Sequence, residues 1–152
     1  TRIAPFPATL TGICDSAFDR CNNLEEISFV QSPTPVFENL GERAFTNCVN
    51  LTTVKGVPSS LKQVGFECFK FDRKLMYVEL LSENIRIGEN SFEYCPSLKQ
   101  FTIPSAKTVN VGVDAFRDCP QDFAIQTPEG ASVIYDNVRK IQGKHETFDS
   151  SR

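Results

Sequence analysis

The chain has few of the side chains that enzymes and metal sites use. Its 152 residues contain one histidine, His145, and six cysteines that form no C-x-x-C pair. A cysteine nucleophile needs a neighbouring base, and we expect His145 to lie in a flexible polar tail. Glu25 and Glu26 are the only adjacent carboxylates, and neighbours on a strand point to opposite faces. The sequence therefore predicts no catalytic residue, no cofactor and no metal site.

The sequence also lacks the features of membrane-spanning and nucleic-acid-binding proteins. The formal net charge is -3, and residues of both signs are scattered along the chain, which argues against a nucleic-acid surface. No apolar run approaches the length of a membrane span. Arg2 is followed by prolines rather than by an apolar segment, so the first residues do not resemble a signal peptide. The compartment stays open, because a secretion signal removed before residue 1 would leave no trace here.

One unit recurs along most of the chain, and its clearest copy is Ile87–Pro104. An anchoring phenylalanine recurs at separations of 27, 24, 23 and 24 residues, at Phe18, Phe45, Phe69, Phe92 and Phe116. A fixed period in the low twenties is typical of a solenoid of stacked supersecondary units. The longer first interval is explained by the connection from Val30 to Asn39, which holds two prolines.

Each unit combines two periodicities. In residues 98–103 apolar and polar side chains alternate, which predicts a half-buried strand, and residues 109–111 predict a second short extended piece. Gly112 suits a tight bend with positive φ. Residues 114–119 are too short for an independent helix, but Ala, Phe and Cys there stand at helical neighbour positions. We therefore predict a strand, a bend and a one- or two-turn helix in every unit.

The ends of the chain depart from this pattern. Residues 1–6 match the end of a strand whose own repeat is missing, so the sequence predicts either a truncation, which we favour, or an improvised cap. After Cys119 the repeat decays, with a final strand around Ile125 and one more extended segment at Val133–Tyr135. The predicted organisation is a repeat domain over residues 1–141 and a polar flexible tail over residues 142–152.

The unit I-G-x-x-A-F-x-x-C-x-x-L-x-x-I-x-I-P resembles the BspA-like class of leucine-rich repeats over about residues 3–126. The chain departs from that pattern at Cys14, Cys68, Asp72 and Asp122. The resemblance implies an α/β repeat solenoid of right-handed leucine-rich-repeat type, with a parallel β-sheet on the concave face and short helices on the convex face. It also implies a role like that of similar proteins, which serve as surface or secreted adhesion and recognition modules of bacteria and protist-like eukaryotes.

Four cysteines stand once per repeat at the same place, three residues after the phenylalanine: Cys21, Cys48, Cys95 and Cys119. They suggest either a disulfide framework or core thiols. A disulfide needs Cα atoms within about 7 Å, whereas packed helices lie roughly 8–10 Å apart. We therefore expect buried free thiols.

The sequon Asn50-Leu51-Thr52 permits N-glycosylation in principle. Leu51 is expected to anchor the core, which places the acceptor in a tightly built turn and disfavours modification.

The outward positions of the strands remain as a candidate partner-binding face. They are Glu26, Ser28, Thr53, Lys55, Tyr77, Glu79, Gln100 and Thr102. Extended concave faces of this kind bind partners in solenoids. One hypothesis is a recognition or adhesion module that binds a protein or glycan there. The alternative is a structural or scaffolding subunit of a larger assembly, bound through its ends, near the first strand or Asp122–Tyr135, or its convex side.

Overall fold

The computed structural model describes residues 3–136, which form twelve short strands and no helix. The strands are β1 Ile3–Phe6, β2 Gly12–Ile13, β3 Glu26–Phe29, β4 Asn39–Leu40, β5 Thr53–Val57, β6 Gln63–Val64, β7 Tyr77–Leu80, β8 Asn84–Ile87, β9 Gln100–Thr102, β10 Thr108–Val111, β11 Ile125–Gln126 and β12 Ser132–Tyr135. The predicted final strand and the extended segment at Val133–Tyr135 are thereby confirmed. The tail over residues 142–152 lies outside the described residues, and the domain boundary stays a prediction.

The strands assemble into parallel sheets in which successive members come from successive units. The largest sheet has six strands in the order β1-β3-β5-β7-β9-β11, a second has the order β12-β10-β8-β6, and β2 pairs with β4. The chain thus winds as a parallel-strand solenoid of about six turns, as the repeat period predicts. We call the turns that hold Phe18, Phe45, Phe69, Phe92 and Phe116 coils 1 to 5. The hand and the curvature of the solenoid stay predictions.

The predicted short helices are wrong: each of these segments is a run of tight turns. The Phe18 N–H donates to the Ala44 carbonyl of the next coil at 2.8 Å, while the Ala17 N–H donates to the Cys14 carbonyl within its own turn at 3.2 Å. A helix would use all of these N–H groups internally. Because the neighbouring coil offers a carbonyl at the same height, every second N–H binds there instead.

These turns require two left-handed residues in every coil. They are Ser16 and Arg20, Arg43 and Asn47, Glu67 and Phe71, Asn90 and Tyr94, and Asp114 and Asp118, with φ between 53° and 64°. Residues other than glycine rarely adopt this conformation. The stacking of the coils therefore overrides local backbone preference across the whole of this side, which we call the turn face.

The five anchoring phenylalanines form one continuous stack, which confirms the predicted core. Successive ring centroids lie 5.1, 5.3, 5.0 and 5.5 Å apart, and neighbouring rings are within 9° of parallel. Phe101 of β9 contacts the Phe92 ring edge-on at 5.0 Å. Inward strand residues such as Ile27, Val54 and Val78 complete the core.

Gly112 does not have the positive φ that we predicted for it. Among the described residues only Gly56 and Gly130 are left-handed glycines. A Cβ on Gly65 would lie 2.6 Å from the carbonyl oxygens of Leu40 and Gly41 in coil 2. Glycine is therefore required at this position by the close approach of successive backbones, not by a bend.

Candidate binding face

The residues predicted as a binding face lie on the outward side of the six-stranded sheet in two rows. Row one is continuous, because Glu26 pairs with Thr53, Thr53 with Tyr77 and Tyr77 with Gln100. Their inward neighbours are buried in the core. The strand pattern thus fixes both the spacing of row one and the side on which it lies.

Row two is interrupted in its middle. Ser28 pairs with Lys55 and Glu79 with Thr102, but the register between β5 and β7 shifts between Val54 and Val57. Gly56 adopts a φ of 68° at this bulge, and its N–H donates to Glu79 Oε1 at 3.0 Å. Glu79 therefore supports the bulge, so it contributes less to an outward ladder than its position in the sequence predicts.

The sheet face carries little unbalanced charge. Lys55 Nζ lies 3.4 Å from Glu26 Oε2, and the Lys55 side chain is half exposed. Such a surface ion pair is worth only about 0–1 kcal/mol, so both groups are available to a partner. The face offers one half-buried aromatic ring, Tyr77, among polar side chains.

The cysteines of the repeat are free thiols, and three of the four at this position are buried while Cys21 is half-buried. Three of these thiols donate to a phenylalanine carbonyl of the preceding coil: Cys48 to Phe18, Cys95 to Phe69 and Cys119 to Phe92, at 3.1, 3.2 and 3.2 Å. Burial raises the pKa of the Cys48, Cys68 and Cys95 thiols well above its usual value. Since the thiolate is the nucleophile, these groups are packing elements rather than reactive ones.

No group of three or more metal-ligating side chains that could hold an ion occurs within residues 3–136. In the same range no helix is long and apolar enough to cross a membrane. The Asn50 amide of the sequon donates to the Asn22 carbonyl at 2.6 Å and accepts from Lys74 Nζ at 2.9 Å. Both the nitrogen and the oxygen of the Asn50 side-chain amide are thus hydrogen-bonded.

The fold and the sequence unit agree with one known family. A family model described as a BspA type leucine rich repeat region matches residues 3–122 in six copies. The chain belongs to the BspA-type leucine-rich repeat family. Neither the curated proteins nor the solved structures contain a match to the chain.

In this BspA-type chain, sequence reasoning missed a charged and aromatic region on the turn face. Ion pairs cross coils 2 to 4, from Arg43 to Glu67 at 2.8 Å, Glu67 to Lys70 at 2.9 Å and Lys70 to Glu93 at 3.4 Å. Burial raises the pKa of Glu67, but hydrogen bonds from Lys70 and Arg43 outweigh it and hold the pKa below its usual value. The signal available in the sequence was a charged residue between two aromatics, Phe69-Lys70-Phe71 and Phe92-Glu93-Tyr94, which occurs only in copies three and four.

Proposed function

We propose that this BspA-type solenoid is a non-catalytic interaction module that recognises a protein or glycan through the outward face of its six-stranded sheet. The observation that carries the proposal is the register of row one, Glu26, Thr53, Tyr77 and Gln100. The side chains of this row stand at regular spacing on a rigid sheet whose inner side is fully used for packing. They are therefore free to serve recognition without a role in folding.

The chemistry of the face favours a partner that forms hydrogen bonds to it. Threonine, serine, glutamine and paired charges surround Tyr77, whose ring and hydroxyl supply one amphipathic contact. Hot spots are typically aromatic or arginine side chains near the centre of an interface. Tyr77 lies on β7, between β5 and β9, and we expect it to be the central contact.

The test begins with a photo-crosslinking amino acid at position 77, with the same residue at position 110 on β10 as the matched control. A partner captured from position 77 alone is then purified. Its affinity is measured for the wild-type chain, for Tyr77→Ala with Lys55→Glu, and for the control Asn110→Ala with Lys62→Glu. We expect a loss of about tenfold or more, or about 1.4 kcal/mol, for the first variant only. An unchanged affinity would refute the sheet face as the site.

The alternative role, a structural or scaffolding subunit, is favoured by one feature of coil 1. A groove of about 500 Å³ is lined by the half-buried rings of Phe6 and Phe18 together with Ile3, Cys21 and Leu24. An apolar groove of this kind fits a contact through the end of the solenoid. A partner whose affinity falls with Phe6→Ser and not with Tyr77→Ala would support this role over recognition by the sheet.

A further inference from the structure

A second surface lies where the turn face meets the six-stranded sheet, in coils 3 and 4. We call it the basic–aromatic corner, and it consists of Phe71, Arg73, Lys74, Met76, Tyr94 and Lys99. Met76 is 42% exposed and Tyr94 is 39% exposed, so two of the six exposed large hydrophobic residues among those described lie here. Exposed large apolar side chains on one surface mark a candidate interaction site.

Contacts between the two coils hold the corner as one patch. The Phe71 N–H donates to the Glu93 carbonyl at 3.0 Å, and the Lys99 N–H donates to the Met76 carbonyl at 3.0 Å. The Phe71 and Tyr94 rings meet edge to face with centroids 5.7 Å apart. The Arg73 guanidinium lies 5.8 Å from the Tyr94 ring centroid, in cation–π range.

The corner concentrates positive charge on a chain whose formal net charge is -3. Segments 71–76 and 94–99 of coils 3 and 4 contain three cations and a single acid, Asp72, which is fully buried, and the nearest exposed acids of the adjoining coil are Asp118 and Asp122. Arg73 and Lys99 form no ion pair within residues 3–136. The surface is therefore complementary to an acidic partner.

The two aromatic residues also adopt an unfavourable backbone conformation. Phe71 has a φ of 64° and Tyr94 a φ of 58°, whereas coils 1, 2 and 5 carry Arg20, Asn47 and Asp118 at this place. Asparagine and aspartate tolerate the left-handed region far better than aromatic residues do. Because Tyr94 is substantially exposed, burial does not account for the choice of an aromatic ring there. The exposed aromatic ring at this position therefore has a reason other than packing, and partner binding supplies one.

We propose that the basic–aromatic corner binds an acidic peptide segment that carries one apolar side chain. Carboxylates of the peptide pair with Arg73 and Lys99, and its apolar side chain packs on one of the two exposed apolar side chains, Met76 or Tyr94. A peptide fits better than a sugar, because the Tyr94 ring already contacts Arg73 and Phe71 and so offers no free stacking face to a sugar ring. This surface is separate from the rows of the sheet face, and the inference does not depend on the function proposed for them.

The probe is a fluorescein-labelled peptide of glutamates around one central leucine, and the readout is fluorescence anisotropy with the full chain. The corner variant is Arg73→Glu with Lys99→Glu. The matched control is Lys62→Glu with Lys107→Glu, which makes the same change in net charge at exposed positions before β6 and β10. We expect the corner variant to bind about tenfold or more weakly and the control to bind within about threefold of wild type.

A third variant, Tyr94→Asn, separates binding from folding. We expect weaker peptide binding without a lower unfolding midpoint, because asparagine tolerates the left-handed backbone. A peptide with serine in place of leucine should also bind more weakly. Equal losses in the corner and control variants would overturn the proposal, and so would the absence of saturable binding below about 1 mM.

Two further outcomes would assign the surface differently. Binding of heparin, a sulfated polysaccharide, without binding of the peptide would overturn the peptide as the partner. The sheet-face variant, Tyr77→Ala with Lys55→Glu, should leave peptide binding unchanged. Loss of peptide binding in that variant but not in the corner variant would refute the corner and leave the sheet face as the binding site.

Discussion

Asp72 predicts an unusual dependence of stability on pH. It stands where other coils carry the buried cysteine, and it is fully buried itself. Its Oδ1 accepts a hydrogen bond from the Cys48 N–H at 2.9 Å, while Oδ2 has no hydrogen-bond partner among the described residues. Burial therefore raises the pKa of Asp72 well above its usual value, and the Cys48 hydrogen bond only partly opposes it.

The sign of the effect follows from proton linkage. An unfolded aspartate has a pKa of about 3.9, so above that pH the folded chain holds a proton that the unfolded chain has lost. The stabilisation by protonated Asp72 is complete below the unfolded pKa. It is then lost at about 1.4 kcal/mol per pH unit until the pH passes the folded pKa. The neighbouring thiols Cys48, Cys68 and Cys95 supply no positive charge that would offset the carboxylate.

Urea unfolding of the wild-type chain and of Asp72→Asn, at a series of pH values above 4, measures this loss. The asparagine keeps the oxygen that accepts from Cys48 and does not titrate. We expect the free energy of unfolding of the variant, relative to wild type, to rise with pH at about 1.4 kcal/mol per unit and then level off. Asp122→Asn, which makes the same substitution at an exposed position, is the control. A difference that is flat, or that shrinks as the pH rises, would refute the burial argument.

Three further outcomes follow from the core. Phe92→Ala should lower the free energy of unfolding by about 3–5 kcal/mol, because Phe92 is fully buried between two stacked rings. A loss below about 1 kcal/mol in urea unfolding would contradict the stacked core. Labelling of the native chain with a thiol reagent should be fast only at Cys14 and Cys21, the exposed and half-buried cysteines, and fast labelling of all six would contradict the burial. Gly65→Ala should destabilise the chain by about 1–3 kcal/mol in urea unfolding, because its Cβ meets rigid backbone; unchanged stability would mean that the coils are less close than the structure shows.

The sequence predicted those parts of the fold for which a side-chain pattern is compatible with a single structure. The spacing of the phenylalanines and the alternation in residues 98–103 admit only a stacked solenoid with strands. The helical spacing of Ala44, Phe45 and Cys48 did not discriminate, because a run of turns places the same residues on the core. What decided against a helix was a carbonyl in the next coil, which lies outside any local window of sequence.

The candidate site was predictable in its positions but not in its details. Alternation identified Tyr77 and Lys55 as outward residues of neighbouring strands. Gly56 inside a strand pattern signals the bulge in the sequence. The hydrogen bond from Gly56 to Glu79 that supports the bulge joins two different strands, so no single strand sequence predicts it. Phe71 and Tyr94 gave no sign of a left-handed backbone, because the conformation is imposed by stacking and disfavoured by the residues themselves.

The hydrogen bonds of the turn face align its peptide dipoles along the solenoid axis. In coils 1 to 4 the N–H groups that leave a coil donate to carbonyls of the following coil, as Phe18 does to Ala44 and Phe92 to Ala115. The aligned peptide dipoles therefore add along the solenoid axis, with the positive pole towards coil 5, as they do along a helix. The turn face thus defines a polarity for stacking, so that a coil joins the row in one orientation only.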